Sequence, residues 1–368
     1  VLIIGSNTTV ALFIDFARAT AALRKIVDAK PTPPAYAALE AMDQSTGCKI
    51  AAAADLCLTL THGLGKDDGV IKKYGRVESV ALDEDGVWSV TTTPSASARR
   101  KGTTVTTTPL LVLATGSQPA QPRLIETYPH LSPLDLDVAL SPTRLAAALP
   151  RREPMKIALV GASHSAILVL RNLYELASST HPLLRIKWFS RHPLRYAVNK
   201  GDWILRDNTG LKGETRLWAK KNLEDGAWEK SDVKNYVEKI FTTPGEEEKA
   251  AYDKHLNSWD VDMVCEAIGF ERSALPEFTR ATSGTGLDEG KANVTPMGKI
   301  EGDALTGALE EVGEDGEVRE LKGLKGVGVA WPERVTDKEG NVESAVGLWK
   351  FMKYLKRVVP EWAKETRE

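Results

Sequence analysis

The stretch VGASHSAILVL, residues 160–170, has the residue types and spacing to hold a phosphate. A strand over residues 156–160, a turn at Gly161 and a helix after His164 would leave unpaired backbone N–H groups at a helix N-terminus. There the helix dipole also favours negative charge. Against the dinucleotide spacing G-x-G-x-x-A, Gly161 and Ala166 match and Ser163 replaces the middle glycine. Serine still lets a phosphate come fairly close and adds a hydroxyl to bond it, and His164 and Ser165 complete the turn. An ordinary βα turn is the plain alternative.

The next apolar stretch, RIKWF, ends in Ser190 and Arg191, 30 positions after Gly161, with His192 and Arg195 close behind. In a βαβ unit the end of the second strand meets the adenosine ribose. An acidic residue there selects a free 2′-hydroxyl, and an arginine accommodates a 2′-phosphate. The arginine favours NADPH over NADH; the plain alternative is a surface arginine after a strand. The same turn also approaches the serine nucleophile elbow G-x-S-x-G, but Ser165 stands where that motif needs glycine. Of the histidines, only His255 lies far enough downstream to serve as base, so a serine hydrolase is the lesser alternative.

Behind these residues stand recognisable elements. Strand, turn, helix and strand between 156 and 190 make a βαβ unit, which implies parallel pairing. RVESVALDEDGVWSVTTT alternates apolar and polar residues around Asp85-Gly86, a turn dipeptide, and reads as a β-hairpin. LLVLATGSQP reads as a short strand stopping at Thr115-Gly116, and DMVCEAIGF as a buried strand. EEVGEDGEVRE is a second hairpin candidate, and GLKGVGVAW a further glycine-rich strand.

VLIIG at the start reads as a strand reaching Gly5 and Ser6; NTTVALFID reads as helix start or, by its β-branched content, as a second strand ending at Asp15, which we prefer. Residues 17–60 and 201–260 read as mostly helical, with PGEEEKAAYDKHL a solvated helix face. Trp203, Trp218, Trp228, Tyr236 and Tyr252 could line a substrate pocket, though packing the helical insert is the simpler role. A final helix should bury a stripe of Val346, Trp349, Phe351, Met352, Leu355 and Val359.

The chain's 368 residues allow two domains, and 42% hydrophobic with 27% charged residues is a globular balance. A formal net charge of -2 gives no general reason to expect nucleic acid as a partner. Cys48, Cys57 and Cys265 contain no C-x-x-C pair, which argues against a thiol-disulfide enzyme and suits a reducing, cytoplasmic setting. No apolar run is long enough to span a bilayer, and no metal site is marked.

In order, the hairpin, the strand ending in A-T-G, the fingerprint at 156–166, the returning strand VCEAIGF and the late glycine segment before a helix resemble the two-dinucleotide-binding-domain flavoproteins. The G-x-S-x-S-A form and the missing C-x-x-C look more like the flavin-containing and N-hydroxylating monooxygenases than the disulfide reductases. ERVTDKEGNVESAVGLWKFMKYLKRV is also similar to a group of fungal FAD-dependent oxidoreductase-like proteins.

The resemblance implies an α/β fold of two Rossmann-like three-layer (ββα) nucleotide-binding domains, the second inserted in the first. Residues 1–148 would open the FAD domain, 149–284 would bind NADPH, and 285–368 would complete the FAD domain. Ala114, Thr115 and Gly116 would then close the first domain, Val77 would meet the adenine end of FAD, and Gly328 and Val329 would pass the flavin. The function implied is NADPH-driven flavin reduction and oxygen-dependent attack on a small molecule.

The opening departs from that pattern: between Ser6 and Asn7 the loop and helix of a G-x-G-x-x-G unit are missing. With them go donors whose charge-assisted bonds contribute ~1.5–3 kcal/mol each. A non-catalytic nucleotide-binding or interaction protein that has lost FAD is therefore the rival reading.

Overall fold

The structure is a computed structural model that describes residues 9–95, 102–257, 261–282 and 293–365. The expected first strand, with Gly5 and Ser6, lies outside these. The described residues begin with helices α1 (Val10–Ala17), α2 (Ala21–Val27), α3 (Pro34–Glu40) and α4 (Ile50–Leu64). The preferred strand ending at Asp15 is thus corrected to a helix. Val10, Phe13 and Ala17 recur at helical spacing and are buried against Leu23, Tyr36, Leu39 and Leu56. Thr46 O and Gln44 O accept the N–H groups of Val10 and Ala11, which otherwise lack helical partners. Asp15 points outward, exposed.

The expected hairpin is β1 (Gly75–Leu82) and β2 (Trp88–Pro94). Asp83 Oδ1 accepts from the N–H groups of Asp85 and Val87, and Gly86 takes φ 80° in the turn. Next come β3 (Thr104–Thr108), β4 (Leu111–Leu113), β5 (Ser117–Pro119), α5 (Leu124–Thr127), β6 (Ser132–Pro133), α6 (Leu136–Ala139) and α7 (Pro142–Ala148). The βαβ unit is β7 (Met155–Val160), α8 (His164–Ala177) and β8 (Leu184–Ser190).

Residues 201–260 are less helical than expected. The short hairpin β9 (Val198–Asn199) and β10 (Ile204–Leu205) is followed by α9 (Gly213–Asn222), α10 (Asp225–Trp228), the strand β11 (Val237–Phe241) and α11 (Glu246–Leu256). VEKIF of β11 is drawn into extended form by parallel pairing with β8. The chain continues through β12 (Met263–Glu266), β13 (Phe270–Arg272), β14 (Glu277–Thr282), β15 (Asn293–Pro296), β16 (Lys299–Gly302), β17 (Ala308–Val312) and β18 (Val318–Gly326). It closes with β19 (Arg334–Thr336), β20 (Val342–Ser344) and α12 (Leu348–Glu365).

GLKGVGVAW is no separate strand: its first residues finish β18, and Gly328–Ala330 form a 3₁₀ turn. Gly328 has φ 78°, which breaks the extended run. On α12 the buried stripe is Tyr354, Val358 and Trp362, one helical turn apart, while Val359 is 44% exposed.

Five strands form an all-parallel sheet of order β11-β8-β7-β12-β6. Along β7 the period-2 alternation sends Ile157 and Leu159 into the core beneath α8, and Ala158 and Val160 into a second core with Tyr252 and Leu256 of α11. The result is a three-layer α/β/α unit. Leu134, Leu136, Leu145 and Leu149 pack into it as well, so the boundary expected at 149 falls inside the packed unit.

The outer residues build two further large sheets, besides the small β19-β20 pair. One has the order β15-β14-β1-β2-β3, with β14 parallel to β1, so residues 277–282 belong outside the central unit. The other, β16-β17-β18-β4, sets β4 parallel to β18. Trp88 ties them together: it is fully buried, and its Nε1 donates to Lys322 O at 3.0 Å.

Candidate functional site

In the central sheet the strand following β7 in space on one side is β8, and on the other β12, which comes last in sequence. The chain therefore reverses direction of travel between β7 and β12, and such a switch point opens a crevice at the strands' C-terminal ends. Gly161 forms its floor. Its φ is 130°, and a Cβ there would lie 2.4 Å from Ala267 O and 3.1 Å from the Ala166 Cβ. Glycine and a small residue at these two positions are thus required by close packing of helix start against sheet. Trp188 Nε1 donates to Gly161 O at 2.7 Å, and Gly161 N–H donates to Phe189 O at 3.0 Å, so β8 holds the turn.

Ser163 is the N-cap of α8, yet its hydroxyl makes no bond to the helix. The first helical bond comes from Ile167 N–H to Ser163 O, which leaves the N–H groups of His164, Ser165 and Ala166 without helical acceptors. The side chains of Ser165 and Ala166 are buried. The His164 ring turns toward α9, where its Nε2 lies 3.4 Å from Thr215 Oγ1. Burial, with Lys212 nearby, pushes its pKa down to about 4, so the ring is neutral at pH 7.

The crevice is a cavity of about 260 Å³. Gly161, Ala162 and Ser163 line one side, Arg191, His192 and Arg195 the other, and Thr242, Glu248 and Tyr252 close it. Ser190 is buried at the end of β8, and Arg191, which follows it, lines the cavity. Arg191 Nε donates to Glu248 Oε1 at 2.6 Å, and this raises the pKa of the guanidinium. Sequence reasoning missed Glu248, Thr242 and the loop residue Thr209 here; nothing in a run of three glutamates marks which one turns inward.

A second group gathers at the ends of β4 and β18. Ala114, Thr115 and Gly116 follow β4, Gly328 and Val329 follow β18, and Val327 N–H donates to Leu113 O at 2.9 Å across the pair. Gly116 and Gly328 both have φ 78°, and a Cβ on either would meet open space. Thr115 Oγ1 is buried with no hydrogen-bond partner among the described residues. Val77, on β1 at a register irregularity, is exposed on an element of its own.

Of the aromatic residues, Trp218, Trp228 and Tyr236 pack against the core under α8, and Tyr252 lines the crevice. His255 stands edge-on to Phe189 at 6.0 Å and 3.7 Å from Glu238. The serine-hydrolase reading finds no support in this arrangement. Among the described residues no helix is long and apolar enough to cross a membrane.

No protein-family model matches the chain. It is 42% identical over 360 residues to monooxygenase AgnR1 of Paecilomyces divaricatus, which spans 98% of this chain and 86% of that protein. Among solved structures it is similar to the FAD-bound cadaverine monooxygenase of the desferrioxamine pathway from Erwinia amylovora. That match has 14% identity, 89% of this chain, 67% of that one and a TM-score of 0.34. It is also similar to the ornithine N-hydroxylase of Kutzneria sp. 744, with 10% identity, 96% and 82% coverage and a TM-score of 0.36. At these TM-scores no residue is carried over from either.

Proposed function

The chain belongs to the monooxygenase family that AgnR1 of Paecilomyces divaricatus represents, and from that premise we propose that it is an FAD-dependent monooxygenase using NADPH and molecular oxygen on a small molecule. The observation that carries the reading is the crevice at the switch point, about 260 Å³, which Gly161, Ala162 and the α8 N-cap Ser163 line together with Arg191.

The residues present fit NADPH. Gly161 leaves the room a Cβ would fill, the N–H groups of 164–166 suit a pyrophosphate, and the Ser163 hydroxyl is unused by its helix. Arg191 is placed for a 2′-phosphate, with Arg195 and His192 adding donors. FAD would be held at the ends of β4 and β18, where the orphaned Thr115 hydroxyl needs an acceptor or donor and Gly116 and Gly328 leave space for close approach. When bound, FAD supplies the redox and oxygen chemistry, and the protein contributes binding, orientation and exclusion of water.

In this reading the outer residues make a second domain for FAD, and the central unit, which starts with β6 before residue 149 and ends before β14, is inserted in it for NADPH. Gly5, Ser6 and Val77 belong to the FAD side as a proposal resting on the family resemblance alone, and Asp15, which lies on α1 and not at a strand end, leaves it.

The absorption spectrum of the purified protein tests the reading. Visible flavin absorption bands are expected, with NADPH oxidation when oxygen is present. A spectrum without them even after FAD is added would overturn it in favour of a non-catalytic nucleotide-binding protein.

A further inference from the structure

Of the run Glu246–Glu248 at the start of α11, only Glu248 is buried. Its carboxylate receives Arg191 Nε at 2.6 Å and the Tyr252 hydroxyl at 3.0 Å, with the Thr242 hydroxyl 3.5 Å away. The Glu248 side chain is 11% exposed and that of Arg191 49%. A buried carboxylate beside a phosphate crevice would repel the ligand if it stood alone. Paired with the guanidinium, its charge is balanced locally, and His192 and Arg195 line the same wall. The pair is one-pronged, through Nε, so the two terminal nitrogens of Arg191 are the ones a phosphate can take in a fork. A half-exposed arginine without such a tether would lose side-chain freedom on binding, and Glu248 removes part of that cost beforehand.

We propose that Glu248 is a positioning residue that orients Arg191 toward the 2′-phosphate and thereby sets the preference for NADPH over NADH. The proposal rests on the NADPH reading above. It is tested without flavin, by calorimetric titration of the full chain with adenosine 2′,5′-bisphosphate and with 5′-AMP.

The wild type should bind the bisphosphate about tenfold more tightly than 5′-AMP, and Arg191→Ala should erase that difference. Glu248→Ala should weaken the bisphosphate by about the same factor and leave 5′-AMP unchanged, with Glu248→Gln, which keeps an oxygen for Nε, falling between. If Glu248→Ala weakens both ligands equally, or tightens the bisphosphate, Glu248 does not position Arg191 and the proposal falls. A preference that survives Arg191→Ala instead overturns the NADPH reading beneath it. Should Glu248→Ala not fold, Glu248→Gln decides alone: a loss confined to the bisphosphate supports the proposal, and a shared or absent loss ends it.

Discussion

At the start of α8 two neighbouring residues part company. Ser163 leaves its hydroxyl to the crevice, while the His164 ring is carried under α9 beside Lys212 and Thr215. The histidine has a consequence for stability. Its pKa falls from the ordinary 6.5 to about 4, because burial and Lys212 both disfavour the imidazolium. Between those values the unfolded chain binds more protons than the folded one, so stability rises with pH across the window and levels off above it. The loss on going from pH 7 to below 4 should be on the order of 2–3 kcal/mol from this group. Melting temperatures across pH 4–7 should show a shallower slope for His164→Gln than for the wild type; an unchanged slope would assign the dependence to other groups. At this scale Gly161, Ala166 and Arg191 were legible, because their roles are local: a turn, a close approach and a strand end. Glu248 was not, since which of three adjacent glutamates faces inward depends on what α11 packs against.

Among the elements, α1 and α12 show packing overruling local preference. NTTVALFID has the β-branched content of a strand, yet with α2, α3 and α4 as neighbours its Val10 and Phe13, together with Ala17 beyond it, bury as a helical stripe. VEKIF, lost in a charged stretch, becomes β11 because β8 offers an unpaired edge. On α12 the stripe is set by Gly307, where a Cβ would lie 2.7 Å from the Tyr354 hydroxyl and 2.8 Å from the Trp362 ring. Trp362 Nε1 also donates to Thr306 O at 2.9 Å. Trp362→Ala should therefore cost about 3–5 kcal/mol. Val359→Ser, on the exposed side, should change stability by no more than about 0.5 kcal/mol. Urea midpoints measure both, and similar shifts for the two variants would mean that the helix packs through a different face.

For the whole molecule, one polar cluster joins the central unit to the outer one. Glu343 of β20, 6% exposed, accepts from Asn208 N–H at 2.9 Å, from Asn208 Nδ2 at 3.1 Å and from the Thr209 hydroxyl. Asp207 pairs with Lys212 and with Lys350 of α12, and these bonds hold its carboxyl below the usual range against the opposing effect of burial. Thr209 also lines the crevice beside Gly161 and Arg191, so the joint between units touches it. Glu343→Ala removes three bonds from partly buried donors to a buried carboxylate and should cost about 1–3 kcal/mol. Faster hydrogen exchange around residues 206–212 should accompany that loss. Lys338→Ala breaks only an exposed pair with Asp202 and should cost no more than about 1 kcal/mol. Equal effects of the two variants would show that the cluster does not couple the units.

The sequence by itself determined the βαβ unit, its tight turn at Gly161 and both hairpins, because each is set by contacts only a few residues apart in the chain. Only the tertiary structure decided the reversal between β7 and β12 that opens the crevice, the helical form of α1, and the pairing of Glu248 with Arg191. Each of these joins segments tens of residues apart, and their geometry follows from which surfaces meet rather than from any local pattern.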